Sequence, residues 1–140
     1  MTDLVPKNAL GSKNVKIVGA DHANWRIKDA ERSLRFYHDV LGLEVERENE
    51  RSFVSVRVSP DFTLHLRSDP ALDSSYTKCD DHLALVVVGV APDALRARLE
   101  DVGLELERSS EQALGARGEG TALYIRDPDG YLLELKFYGS

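Results

Sequence analysis

Asp21-His22-Ala23-Asn24-Trp25 returns sixty positions later as Asp81-His82-Leu83-Ala84-Leu85. Gly42-Leu43-Glu44-Val45-Glu46-Arg47 returns sixty-one positions later as Gly103-Leu104-Glu105-Leu106-Glu107-Arg108. Each half closes on a polar residue between leucines, Leu64-His65-Leu66 in the first and Leu133-Glu134-Leu135 in the second. That last offset is sixty-nine, which places an insertion in the second half, between Ser109 and Gly120. An internal repeat implies two copies of one supersecondary unit. Units of about sixty residues are marginal alone, so a shared interior is expected.

Local signals predict the same β-α-β-β-β order in both halves. Val15 to Ile27 reads as a strand, Asp29 as a helix N-cap with Glu31 in the first turn, and Gly42 as the stop. Leu34, Tyr37 and Leu41 recur at helical spacing. Val45–Glu48, Phe53–Ser59 and Phe62–Arg67 read as strands, with turns at Asn49-Glu50 and Pro60-Asp61. In the second half, Leu83–Val90 reads as a strand. Pro92 opens a helix that Gly103 ends, and Leu104–Glu107, Ala122–Arg126 and Tyr131–Phe137 read as strands. Module one is thus expected over residues 15–67, a linker over 68–80 and module two over 81–138, with residues 1–14 as an N-terminal extension.

Strand side chains alternate between faces, which sorts the polar groups. His65 lies opposite Leu64 and Leu66, and Glu134 opposite Leu133 and Leu135. His22 and His82 hold matching places in the two opening strands, and an unpaired imidazole in the apolar strand around His82 would be costly to bury. Two sheets related by a pseudo-twofold axis would send these groups into a space between them. Two imidazoles and a carboxylate suit Fe, Mn, Zn, Ni or Co as the divalent ion. His65 is a candidate fourth ligand, or equally a cavity-lining base or a surface residue. His38 reads as surface and Trp25 as core.

The acidic balance, 18 basic against 24 acidic side chains, lacks the basic stripe a nucleic acid needs and disfavours anionic membranes. The longest nearly apolar run, Leu83 to Ala91, is too short to cross a bilayer. One cysteine, Cys79, excludes an intrachain disulfide framework. With no secretory pattern near Met1, the expectation is a cytoplasmic protein.

Asp21-His22, Asp29 to Leu43 with Phe36-Tyr37, Asp81-His82 and, most typically, Asp127-Pro128-Asp129-Gly130-Tyr131-Leu132-Leu133-Glu134-Leu135 together resemble the vicinal oxygen chelate superfamily. The resemblance implies one domain over residues 15–140, an α+β fold of two tandem βαβββ modules whose curved mixed sheets surround a central metal-binding cavity. It implies His22, His82 and Glu134 as metal ligands, and a homodimer that in some members exchanges modules. His65 stands where glyoxalase I has a glutamate. Tyr124, ten residues before Glu134, has the spacing of the tyrosine that assists ring cleavage in extradiol dioxygenases. Their upstream histidine is absent from Gly115-Ala116-Arg117. The leading expectation is a divalent-metal-dependent glyoxalase-type enzyme acting on a small substrate chelated through neighbouring oxygens. Glu134 or His65 would act as base, and Tyr124 or Arg117 would orient the substrate. The alternatives are an Fe(II) extradiol-type dioxygenase, a fosfomycin-type thiol transferase and a non-catalytic drug-binding protein.

Overall fold

The computed structural model describes residues 15–47 and 53–139. The predicted extension at residues 1–14 and the predicted turn at Asn49-Glu50 lie outside them. Module one runs β1 (His22–Ile27), α1 (Ala30–Leu34) continuing as a π-helical stretch (Arg35–Val40), β2 (Glu44–Arg47), β3 (Phe53–Ser59) and β4 (Phe62–Ser68). A short helix α2 (Ser74–Thr77) follows. Module two runs β5 (His82–Val86), α3 (Pro92–Asp101), β6 (Arg108–Gly115), β7 (Gly118–Arg126) and β8 (Leu132–Phe137).

The first helix starts where Asp29 accepts from the N–H groups of Glu31 and Arg32 at 2.9 and 3.4 Å. It ends at Gly42, whose φ of +75° suits glycine. Leu104–Glu107, read as a strand from its alternation, precedes the strand instead. The supposed insertion at 109–120 is the β6–β7 hairpin. Its polar residues, Ser109, Ser110, Glu111 and Gln112, mask a strand whose backbone is nonetheless paired.

Each module forms a four-stranded mixed sheet, ordered β1-β4-β3-β2 and β5-β8-β7-β6, with β1–β4 and β5–β8 parallel. Both sheets are open, so the expectation of curved sheets around a central metal-binding cavity is corrected. Among the described residues, no group of three or more His, Cys, Asp or Glu could hold a metal ion. The reason lies in which face each sheet buries. Leu64 and Leu66 of β4 and Leu133 and Leu135 of β8 belong to one core, together with Leu34, Phe36 and Tyr37 of the first helix and Leu99 of α3. The leucine faces and helices therefore share the interior, and the faces carrying His65 and Glu134 point away from it. Sequence parity identified the faces correctly and assigned the wrong one to the centre.

The modules are also tied by polar groups around the Asp127–Gly130 turn. Tyr37 Oη donates to Asp127 Oδ2 at 2.6 Å, Arg32 Nη2 to Asp129 Oδ1 at 2.6 Å, and Tyr131 Oη to the Arg26 carbonyl at 2.7 Å. Trp25 stacks on Tyr131 with ring centres 4.3 Å apart. Among the described residues, no helix is long and apolar enough to cross a membrane.

Candidate functional site

The residues singled out by sequence fall into two groups, one per sheet. On module one, His22 at the start of β1 stacks on His65 of β4 at 4.3 Å, and His65 stacks on Phe53 of β3 at 4.3 Å. The registers His22↔Thr63 and Asn24↔His65 place the two imidazoles on the same face. His22 Nδ1 lies 2.6 Å from Asp21 Oδ2, so Asp21 orients the ring. Burial and the neighbouring His22 push the His65 pKa below the usual histidine value, which keeps its ring neutral at neutral pH.

On module two, His82 Nε2 stands 3.1 Å from Glu134 Oε1. The pairing Ala84↔Glu134 across parallel strands sets that approach. His82 Nδ1 lies 2.9 Å from the Asp80 carbonyl, which only accepts, so Nδ1 carries a proton and Nε2 faces the carboxylate. Tyr124, directly opposite Glu134 in the β7–β8 register, hydrogen-bonds to it. Burial, followed by that bond and the carboxylate's charge, raises the Tyr124 pKa. Arg108 lies over the Tyr124 ring at 4.5 Å and reaches Asp80 Oδ1 at 3.4 Å. Asp80 thus secures both an imidazole and a guanidinium.

The structure sets some of the expected residues apart and adds one. His22 and His65 form one pair and His82 and Glu134 another, on different sheets, so one chain does not gather the three ligands. Arg117, expected to orient substrate, sits at the β6–β7 hairpin tip over the Tyr138 ring at 5.4 Å. Lys136, which the sequence reading passed over, shares the Glu134 face of β8, with Nζ 3.8 Å from Glu134 Oε2 and the side chain 2% exposed. The signal that could have found it is its two-residue spacing from Glu134 in one strand.

The profile of the "Glyoxalase/Bleomycin resistance protein/Dioxygenase superfamily" matches residues 19–135. The chain belongs to this superfamily. It is similar to the glutathione transferase FosA of Serratia marcescens, with 29% identity over 122 residues, 82% of this chain and 77% of that protein. It is similar to the lactoylglutathione lyase of Haemophilus influenzae, with 26% identity over 121 residues, 81% of this chain and 88% of that protein. The solved structure of virulence protein STM3117 from Salmonella typhimurium superposes with a TM-score of 0.73 at 22% identity, covering 89% of this chain and all of that one. This last likeness shows the superfamily's fold.

Proposed function

We propose that the chain is a divalent-metal-dependent enzyme of glyoxalase type, promoting proton transfer or addition on a small substrate chelated through neighbouring oxygens. The observation that carries the reading is the His82–Glu134 pair. An unprotonated Nε2 and a carboxylate oxygen 3.1 Å apart repel unless a proton or a cation lies between them. Two donors on one cation at bonds of about 2.0–2.2 Å sit at roughly this separation, so the pair fits a divalent ion. The fit extends outward, because both His22 and His82 present Nδ1 to an oxygen, Asp21 Oδ2 and the Asp80 carbonyl respectively. Ligating histidines are held in this way, with the second ring nitrogen left for the metal.

His82 and Glu134 would hold the ion together with His22, and His65 is the candidate fourth ligand or base. A divalent ion there supplies a Lewis acid that stabilises negative charge developing on substrate oxygens. Glu134 and His65 are the groups able to carry a proton to and from the reacting carbon. Tyr124 stands opposite Glu134 in the β7–β8 register and lines the same face. Arg108, on the same face, offers a cation to an anionic substrate group.

A homodimer completes the ligand set in this reading, with His22 of one copy meeting His82 and Glu134 of another. Supporting this, the ligand-bearing faces turn away from the shared core, and the His22 and His82 side chains are partly exposed. β1 and β5 are edge strands flanked by exposed apolar side chains, among them Val18 at 94% and Val88 at 83% exposure. A cytoplasmic setting agrees with the single exposed thiol of Cys79.

A second reading, addition of a thiol to a small electrophile, is favoured by the 29% identity to a glutathione transferase. One experiment separates the two. Chelator-treated protein is restored with Fe, Mn, Zn, Ni or Co in turn and assayed for lactoylglutathione formation and for thiol addition to fosfomycin. Metal-dependent thioester formation supports the first reading and metal-dependent adduct formation the second. Turnover unchanged by metal removal would overturn both.

A further inference from the structure

A lysine ammonium with almost no solvent exposure is costly to keep unless the fold compensates it. Lys136 is 2% exposed, and its ammonium donates to the Ala113 carbonyl of β6 and faces Glu134 Oε2 at 3.8 Å. Three features of the second sheet make room for it. β6 takes three steps from Ser110 to Ala113 while β7 takes two from Ala122 to Gly120, so one extra residue bulges β6 where the acceptor carbonyl lies. A Cβ on Gly115 would stand 2.3 Å from Tyr138 Oη and 3.2 Å from Lys136 Nζ, and one on Gly120 would stand 2.3 Å from the Phe137 carbonyl oxygen and 3.1 Å from Lys136 Cε. A side chain at either position would crowd the lysine as well as Tyr138 or the Phe137 backbone. Tyr138 closes the end, with its ring 5.4 Å from Nζ.

We infer that Lys136 is a positioning residue for Glu134: seated in the cradle made by the β6 bulge and two glycines, its ammonium holds Oε2 and turns Oε1 alone toward His82. This rests on the proposed role of His82 and Glu134 as ligands. A carboxylate tied at one oxygen presents a single donor, leaving a further coordination position for a substrate that chelates through two oxygens. Untied, both oxygens turn to the His82 side.

Lys136→Met keeps the length and apolar packing of the side chain and removes the charge. Gly115→Ala keeps the charge and crowds it together with the Tyr138 hydroxyl that closes the cradle. Two readouts at fixed pH apply to both variants: the ring ¹⁵N signals of His82 in metal-free protein, and the visible absorption of the Co(II) form. In both variants the His82 Nε2 signal shifts and the Co(II) absorptivity falls as Glu134 supplies a second oxygen. His82 signals unchanged from the parent protein in folded Lys136→Met would overturn the inference. So would a Co(II) spectrum unchanged in both variants. If the parent protein takes up no Co(II) while the Lys136→Met signal still shifts, the hold on Glu134 stands and the metal reading alone falls.

Discussion

Asp127 sits at the centre of the polar tie between the modules, with 5% of its surface exposed. Burial raises its pKa to about 6, against the opposing pull of the Tyr37 hydroxyl and the Tyr131 N–H, with nearby Asp129 adding to the rise. The folded state therefore binds this proton more tightly than the unfolded chain, whose value is near 3.8. The contribution is fully present below pH 3.8 and is lost as pH rises through about 6. A shift of about two units corresponds to about 3 kcal/mol. Asp127→Asn should remove this fall, so its urea midpoint should change less between pH 4 and 6 than that of the parent. An equal fall in both would refute the assignment. At this scale His22, His82, His65 and Glu134 could be singled out in the chain, because parity and repeat position mark them. Lys136 and Asp21 could not, because their roles depend on a bulge carbonyl and a rotamer that appear only in three dimensions.

Two elements carry local rules that mutation can test. Asp29 satisfies two first-turn N–H groups of α1, and Asp29→Ala should cost about 1 kcal/mol, lowering the melting temperature by roughly 2–5 °C. Gly130 ends the turn before β8 at a φ of +101°, with Thr77 Oγ1 2.9 Å from where a Cβ would stand. Gly130→Ala should therefore destabilise by roughly 1–3 kcal/mol in urea unfolding, and a neutral result would contradict the geometry. Both features were legible, since a capping aspartate and a turn glycine act through their immediate backbone. The β6 strand was not. Its strand residues are polar, so hydrophobic alternation gives no signal, and the ladder to β7 supplies the order instead.

Across the whole molecule, the two modules meet through their leucine faces and helices, leaving both histidine-bearing faces outward. A site shared between two copies has a consequence that a site within one chain lacks. His22→Ala and Glu134→Ala homodimers should each be inactive, since every composite site lacks a ligand. Refolded together in equal amounts, they should regain about a quarter of the parent activity: half the dimers are mixed, and one of their two sites is intact. No recovery, with mixed dimers demonstrated by mass, would exclude ligands drawn from two copies.

Duplication, strand parity and turn chemistry are written along the chain, so the two βαβββ units and the side of each strand that bears a chemical group followed from the residues alone. These properties depend on neighbours a few positions away or on the repeat. Which face of each sheet would be shared was settled by packing, because burying four leucines and the helices they cover outweighs gathering polar groups in the interior. That choice separated His22 from His82, enclosed Lys136 beside Glu134, and made a second chain the natural place to seek the missing ligand.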